Sequence, residues 1–269
     1  MPALSILVAV LLTGGIEPLV WGTLAGFILQ ALFLYMPLAQ RGEAERPLFA
    51  FHSDHWRVFF AGLGVMLVGQ ALMSLVSLLD QFFAARLGAG ALSTLGYTNR
   101  ILSLILGLGA VAVGRALLPV LSRAHAEGRD SINRIASHWA ALLFVAGLGV
   151  TVIGVWLAPV VVKLLFQRGQ FTAEDSVRVT ELLRFALVQI PFYFSSMALI
   201  YALLSQGRYK SIAALGGANL LIKLILAIIL VPTLALKGLM LSTAGVYLGS
   251  CFFAAALLQW MTGRTRNSL

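Results

Sequence analysis

Charged residues and cysteine are scarce in this chain. Of its 269 residues, 11% are charged, ten are acidic, four are histidine and one, Cys251, is cysteine. A single cysteine excludes an intrachain disulfide, and the histidines and carboxylates show no metal-ligand spacing. No basic run is longer than two residues, so the net charge of +9 does not indicate binding to nucleic acid. The alternating ten-residue pattern of an outer-membrane barrel is missing as well.

Apolar sequence makes up most of the chain instead. Hydrophobic residues account for 60% of it and the mean hydropathy is +0.94, whereas a soluble domain has about 45 to 50% apolar and about 25% charged residues. Apolar runs follow one another almost from end to end, and each crossing of a bilayer needs about 20 residues. The sequence therefore predicts an all-α membrane protein, a polytopic bundle of about seven to eight transmembrane helices.

Two arginines lie inside one of these apolar runs, the span predicted over residues 97–121. Arg100 and Arg115 are fifteen residues apart, which leaves them roughly 60° apart around a helix and about 22 Å apart along it. Gly107 and Gly114 lie on the same broad face. Because an arginine that faces lipid costs a few kcal/mol, we expect this face to pack against another helix or to line a water-filled cavity.

Three further spans carry charge. Asp80 ends one predicted helix, Lys223 lies in the middle of another, and Arg184 belongs to the helix that Thr172 is expected to cap. No acid–base pair, activated nucleophile, phosphate loop or metal cluster emerges, so we expect no enzymatic activity and no cofactor. Cations within a membrane need water or an anion around them, and a diphosphate suits the guanidinium fork. The predicted diphosphate-binding residues are Arg100, Arg115, Arg184 and Lys223.

Simpler interpretations of the same charges stay open. Arg100 lies close to a helix end, so its side chain is able to reach the membrane interface, and Lys223 has the same alternative over a longer reach. Asp80 and Arg100 belong to helix ends on the same side of the membrane. Asp80 is therefore predicted either to form a structural ion pair, with Arg100 as the candidate partner, or to take part in coupling.

The distribution of basic residues predicts the orientation of the chain. Ten lysines and arginines fall on one side of the predicted spans and six on the other, and the side richer in basic residues is normally cytoplasmic. The richer group includes Arg264 and Arg266 near the C-terminus. We therefore expect a multi-pass protein with its C-terminus in the cytoplasm.

Two sequence blocks carry a family resemblance. The first, residues 79–128, resembles the seventh and eighth membrane helices of the MurJ/MviN lipid II flippases and reads LDQFFAARLGAGALSTLGYTNRILSLILGLGAVAVGRALLPVLSRAHAEG. The second, residues 164–176, is similar to the loop that opens the tenth helix of that family and reads LLFQRGQFTAEDS. Both blocks occur in the family's order. The resemblance covers most of this chain but only about half of a family member.

This resemblance implies one lobe of a MurJ/MATE-like two-lobe transporter. Residues 1–39 would be the end of the N-terminal lobe, 40–56 a cytoplasmic linker, 57–261 a C-terminal lobe of six transmembrane helices and 262–269 a cytoplasmic tail. The implied cargo is lipid II, the polyprenyl-diphosphate-linked peptidoglycan precursor, flipped across the bacterial cytoplasmic (inner) membrane by alternating access. The chain would act as a truncated or half transporter.

The resemblance also assigns residues and implies partners. Arg100 falls on the family arginine implied in handling the lipid diphosphate, and Asp80 on the acidic residue that ends the seventh helix. Asn99 stands where an acidic residue is usual, and Arg115 where a small or hydroxylated one is. The rival functions are a flippase for an O-antigen or exopolysaccharide unit and a non-transporting scaffold in envelope assembly. The implied partners are the lipid-linked glycan, membrane lipids and a complementary N-terminal-lobe chain or a second copy.

Overall fold

A computed structural model of the chain describes residues 17–40, 55–127, 129–167 and 171–266. All regular secondary structure in those ranges is helical, as the sequence predicts. The helices there are α1 (Glu17–Gln40), α2 (His55–Arg86), α3 (Ala91–Glu127), α4 (Arg129–Phe166), α5 (Ala173–Leu187), α6 (Ile190–Ser205) and α7 (Tyr209–Arg266).

The chain divides into two compact units, Met1–Val58 and Phe59–Leu269. The first unit contains α1, which exposes large apolar side chains such as Phe27 and Phe33, the pattern of a helix in an apolar environment. The second unit contains α3 to α7 and nearly all of α2. Parts of three predicted segments lie outside the described residues: positions 1–16 of the N-terminal segment, 41–54 of the linker and 267–269 of the tail.

Four helical stretches in the described residues are long and apolar enough to cross a membrane, judged by length and composition. They are Ala91–Leu121, Ile132–Phe166, Ala173–Ser205 and Ser211–Gln259. The last has 49 residues, over twice the length that one crossing needs, and it is broken at Ala235 into a first arm (209–234) and a second arm (236–266). With the two arms counted separately, these stretches make five crossings, and α1 adds a shorter apolar stretch, Trp21–Pro37. The predicted all-α membrane bundle is confirmed.

Helix α6 is the central helix of the second unit because most of its surface is buried. It packs against α4 and α7 and also contacts α3. Glycines allow the close approach: Gly147 of α4 lies against the backbone of Pro191, and Gly109 of α3 lies against the ring of Phe194. Among helices surrounded by lipid, such small residues let dispersion contacts hold the bundle together. These glycines therefore decide which faces of α3 and α4 turn inward.

A break separates α5 from α6 inside one apolar span. Thr172 caps α5 as predicted: its hydroxyl accepts from the Asp175 N–H at 3.2 Å, and its own N–H donates to the Asp175 carboxylate at 3.0 Å. The helix ends at Leu187, and Pro191 lies in the first turn of α6. Proline is tolerated in a first turn because the N–H it lacks would have no helical partner there.

The two arms of α7 form an antiparallel hairpin. At Ala235 the backbone adopts φ 50° and ψ −130°, outside the helical region. Lys223 of the first arm bonds to Thr243 of the second, and Asn219, farther from the turn, accepts a bond from Ser250. Because the partner moves forward along the second arm as the residue moves back along the first, the arms run in opposite directions.

Two regions are more helical than their composition suggests. The segment 123–137 is rich in charged residues, yet α3 continues in it to Glu127 and α4 begins in it at Arg129. It contains no proline, and Ile132 is buried against the bundle, so packing extends the helices beyond their apolar parts. Pro159 lies inside α4 and does not end it.

The two ends of the second unit are distinguished by a cavity at one end and a hydrogen bond between two helices at the other. At one end, here called the turn end, a cavity of about 260 Å³ lies between the α2–α3 turn, the middle of α5 and the Ala235 turn. Gly88 has φ 102°, a left-handed conformation that favours glycine. At the opposite end Gln206 donates to the side chain of Asn133 at 3.0 Å and so connects α6 to α4.

Candidate functional site

A buried ion pair links α2 to α7. The side chain of Lys223 is 0% exposed, and its ammonium nitrogen lies 2.6 Å from a carboxylate oxygen of Asp80. The same nitrogen donates to the Thr243 hydroxyl at 2.6 Å and to the Leu239 carbonyl at 3.1 Å. An ammonium has three N–H donors, and three oxygens surround this one. The charge of Lys223 is therefore compensated entirely within the protein.

The pair also positions α2. A buried lysine without a partner costs several kcal/mol, so the carboxylate of Asp80 is held where the ammonium is. A second contact lies nearer the helix starts, where Leu72 of α2 packs over Gly216 of the first arm. Because Leu72 and Asp80 follow each other in the same direction as Gly216 and Lys223, α2 and the first arm run parallel. The ion pair thus ties α2 to the hairpin.

This pairing corrects two alternatives raised by the sequence. Asp80 pairs with Lys223 and not with Arg100, because the parallel packing of α2 on the first arm brings Asp80 to the depth of Lys223. Lys223 does not extend to the membrane interface either, since its side chain is fully buried. Of the four predicted diphosphate-binding residues, three therefore have no carboxylate partner among the described residues: Arg100, Arg115 and Arg184.

Arg100 projects from α3 with an exposed side chain. Its guanidinium carbon lies 5.7 Å from the centroid of the Tyr97 ring. That ring packs in turn on Phe166 and Phe171, with centroid distances of 4.8 Å and 5.0 Å. The three rings, here called the aromatic cluster, join α3 to the end of α4 and the segment before α5. Arg100 is therefore carried by a well-packed part of α3 near the turn end.

The face of α3 that bears both arginines is open over part of its length. Arg115 is exposed, and no atom lies within 4 Å of the position that a Cβ of Gly107 would occupy. Gly114 is instead buried and faces the hydroxyl of Tyr201. The predicted small-residue face thus divides into a packed edge at Gly114 and an open part that contains Gly107, Arg100 and Arg115.

Arg184 is the third exposed arginine within a span, on the side of α5 opposite to its buried residues. The structure does not bring it into contact with Arg100 or Arg115. Across the described part of the chain, no carboxylate oxygen lies within 4.0 Å of any of the three arginines. The ion pairs found there are Arg178–Glu174, Lys223–Asp80 and Lys237–Glu181.

The spans therefore contain two kinds of cation. Lys223 is neutralised by a buried carboxylate, whereas the three arginines are exposed and have no carboxylate partner among the described residues. Open guanidinium groups bind phosphate oxygens through paired hydrogen bonds. Within the described residues no group of three or more histidines, cysteines and carboxylates is placed to hold a metal ion. The sequence did not reveal the oxygens of Leu239 and Thr243, although their four-residue spacing places both on one helix face. A lysine in the middle of a span is the signal that such acceptors must exist.

Comparisons with known proteins agree on one family. The family model described as "Lipid II flippase MurJ" matches residues 3–266. The "Probable lipid II flippase MurJ" of Bdellovibrio bacteriovorus is 30% identical over 231 residues, which cover 84% of this chain and 43% of that protein. The protein of the same description from Helicobacter pylori is 27% identical over 274 residues, covering 92% of this chain and 58% of its own length. The chain spans about half the length of the curated relatives it matches.

Solved structures share the helix arrangement. A structure of "Lipid II flippase MurJ, inward closed conformation" has a TM-score of 0.72 at 20% identity, with 96% of this chain and 54% of that chain covered. An outward-facing multidrug resistance MATE family transporter of the MOP superfamily has a TM-score of 0.58 at 17% identity, with 72% of this chain and 43% of that chain covered. At these identities the likeness shows the fold alone.

Proposed function

Since the chain belongs to the lipid II flippase MurJ family, we propose that it supplies one lobe of a transporter that moves lipid II across the bacterial cytoplasmic membrane. A cavity between two lobes opens first to one leaflet and then to the other, while the lipid tail stays in the bilayer. No covalent bond is made or broken in this cycle, so the transporter needs no catalytic residue and no cofactor.

The observation that carries the proposal is the set of unpaired arginines inside the spans. Arg100 and Arg115 lie on the open part of one α3 face, about 22 Å apart along the helix. A diphosphate that moves along this face meets a guanidinium near each side of the membrane. At each position the positive guanidinium and the negative diphosphate compensate each other's charge. Arg184, on α5, adds positive charge to the same membrane region without contacting the α3 arginines.

The Asp80–Lys223 pair acts in coupling and not in direct contact with the diphosphate. Lys223 already has three oxygen partners, so it has little to gain from a fourth. Protonation of Asp80 would leave the buried ammonium without its counter-charge, which is unfavourable by several kcal/mol. If α2 then separates from the hairpin, water reaches the ammonium and relieves that cost. Movement of α2 is therefore the step that would couple protonation to the opening of the cavity.

The turn end faces the outer side of the membrane. Basic residues at the opposite end of the second unit, such as Arg123, Arg134 and Arg208, belong to the group of ten that outnumbers the six at the turn end. The positive-inside rule therefore orients the opposite end, together with the C-terminus, toward the cytoplasm. In this orientation Arg115 meets the lipid first and Arg100 meets it last.

A two-sided cavity also requires a second surface. Its source is a chain that carries the N-terminal lobe or a second copy of this chain. The arginines recognise the diphosphate that all polyprenyl-linked glycans share, so a flippase for an O-antigen or exopolysaccharide unit is the rival that the experiment must separate.

The test measures lipid II in the outer leaflet of cells depleted of their own flippase. The chain is expressed alone and then with the N-terminal lobe of a relative, and membrane insertion is verified in each case. We expect outer-leaflet exposure to return with the second lobe, to fail with Arg100→Ala, and to persist with Arg86→Ala, an exposed arginine that also stacks on an aromatic ring, Phe82. Equal transport by both variants would contradict the role of Arg100. Restored exposure of another lipid-linked glycan, without lipid II, would favour the rival cargo.

A further inference from the structure

A second cavity at the turn end lies beside Arg100. It has a volume of about 240 Å³ and opens between the start of α3 and the start of α5. Its lining combines two hydroxyl groups, two aromatic rings, a carboxylate and one aliphatic side chain. These residues are Ser93, Thr94, Tyr97, Phe171, Asp175 and Val179.

The polar groups of this cavity have hydrogen-bonding capacity left over. Both bonds that Asp175 accepts from Thr172 fall on Oδ2, at 3.0 Å and 2.8 Å, and Oδ1 has no protein donor among the described residues. The hydroxyls of Ser93 and Thr94 donate to the Gly90 carbonyl at 3.0 Å and 2.9 Å, so their oxygens remain acceptors. The cavity thus presents several acceptors to a ligand that carries many O–H or N–H donors.

The aromatic side chains give the cavity a rigid apolar wall. Tyr97 and Phe171 meet edge to face, with centroids 5.0 Å apart and an interplanar angle of 80°, so each ring packs against the other. The electron-rich face of an aromatic ring attracts the polarised C–H groups on one side of a pyranose. Fixed rings beside hydroxyl and carboxylate acceptors are the combination that suits a sugar, which has an apolar face and a polar rim.

We propose that this cavity binds one sugar ring of the lipid-linked glycan, the ring next to the diphosphate; this inference rests on the proposed function. The guanidinium of Arg100 lies over the ring of Tyr97, which lines the cavity. A sugar bonded through its anomeric oxygen to a diphosphate at Arg100 therefore reaches Tyr97 directly. The cavity volume of about 240 Å³ gives room for one sugar ring, and the rest of the glycan extends out of the opening.

Other ligands fit the cavity less well. The Asp175 carboxylate repels a free anion, although the starts of α3 and α5 would otherwise attract one. A lipid tail would leave the hydroxyl and carboxylate oxygens without partners, which is unfavourable. A single carboxylate is too few ligands for a divalent cation. A neutral, hydroxylated ring meets each of these conditions.

The cavity also gives the site a direction. It lies next to Arg100 at the turn end, and Arg115 is about 22 Å farther along α3. The sugar ring is therefore engaged only when the diphosphate has reached Arg100. Binding energy from the sugar holds the cargo at the turn end, near the point of release.

The experiment compares two ligands on the purified full chain in lipid nanodiscs. One is undecaprenyl diphosphate, and the other is the same lipid carrying a single N-acetylhexosamine. We expect the sugar to increase affinity about tenfold, and Asp175→Asn, Phe171→Leu and Tyr97→Leu to remove that gain. Tyr97→Phe keeps the aromatic ring, so this variant should keep most of the gain in affinity. Glu174→Gln is the matched control, because it changes the adjacent carboxylate, which pairs with Arg178 and does not line the cavity.

The ratio of the two affinities separates this inference from the proposed function. Equal binding of both lipids would overturn the sugar site and leave diphosphate binding at Arg100 intact. If neither lipid binds, diphosphate recognition fails, and saturation-transfer NMR with free N-acetylglucosamine then decides the sugar site alone. Saturation transfer that disappears in Asp175→Asn and persists in Glu174→Gln would support it. Transfer that is absent, or equal in all variants, would overturn it.

Discussion

The interior of the α2–α7 contact and the open face of α3 treat intramembrane cations in opposite ways. Lys223 is fully buried and surrounded by three oxygens, one from the carboxylate of Asp80. Arg100 and Arg115 are exposed and have no carboxylate nearby in the described part of the chain. The same formal charge is a structural element in one region and an available binding group in the other.

The difference follows from side-chain chemistry. An ammonium is compact, and three oxygens satisfy it completely, so it is suited to a closed site between two helices. A guanidinium is a wide, planar fork that binds two phosphate oxygens at once and stacks on an aromatic ring, as Arg100 does on Tyr97. A charge within a span is thus a candidate for binding the diphosphate only when the structure leaves it unpaired.

The largest effect is expected from breaking the closed site. Asp80→Ala leaves the ammonium of Lys223 buried without its counter-charge, which should lower the free energy of unfolding by about 3–5 kcal/mol. Thermal unfolding of the purified protein in detergent measures the loss. Glu174→Ala, which breaks the exposed Arg178 pair, should change stability by only about 0.5 kcal/mol.

A compensating change makes that prediction sharper. In the double variant Asp80→Ala with Lys223→Met, no charge is left in the site, and most of the lost stability should return. If Asp80→Ala is no more harmful than Glu174→Ala, or if the double variant is worse than the single one, the buried pair is not the element that joins α2 to the hairpin.

The next largest effect is expected on the open part of the α3 face, where a substitution should weaken lipid binding and leave the stability of the protein unchanged. Arg100→Ala removes charge-assisted hydrogen bonds to the diphosphate and should weaken binding of undecaprenyl diphosphate about 10- to 100-fold. Arg100→Lys keeps the charge but lacks the planar guanidinium fork, so its affinity for the lipid should lie between those of the unchanged protein and Arg100→Ala. Unfolding of both variants should match the unchanged protein. Arg86→Ala provides the control, and an equal loss of affinity there would mean that general surface charge, not Arg100, attracts the lipid.

A smaller effect distinguishes packed from open glycines. At Gly147 a Cβ would meet the backbone of Pro191, so Gly147→Ala should destabilise the bundle by about 1–3 kcal/mol. At Gly107 a Cβ meets nothing within 4 Å, and alanine there should be neutral or stabilising by up to about 1 kcal/mol. Unfolding midpoints of the two variants test this. A large loss at Gly107 would mean that the α3 face is closed by another surface.

Much of the fold was predictable because apolar length and helix capping are local signals. The spans, the Thr172 cap and the membrane class follow from runs of about 20 residues and from one short motif. The helical conformation of residues 123–127 and 129–137 was not predictable, because it depends on burial of Ile132 by distant helices. Composition describes a segment's preference for water, and packing decides its conformation.

The candidate site was predictable in its residues but not in their pairing. The sequence singled out Asp80, Arg100, Arg115, Arg184 and Lys223 because charge in an apolar span requires a reason. Which charges meet depends on the parallel packing of α2 on the first arm, a long-range relation that no local pattern encodes. The cavity beside Tyr97 was also hidden, since its lining comes from helices about 80 residues apart in sequence.

The most direct test of a diphosphate pathway along α3 is the reaction of single cysteines at positions 100 and 115 with a water-soluble thiol reagent. The background is Cys251→Ala, with Arg86→Cys as the exposed control and Leu117→Cys as the buried one. We expect Arg100→Cys and Arg115→Cys both to react in membranes. Undecaprenyl diphosphate should slow the reaction at each position and leave the reaction of Arg86→Cys unchanged. Protection at both positions while Arg86→Cys reacts would show that the arginines face lipid or protein, and would contradict a diphosphate pathway along α3.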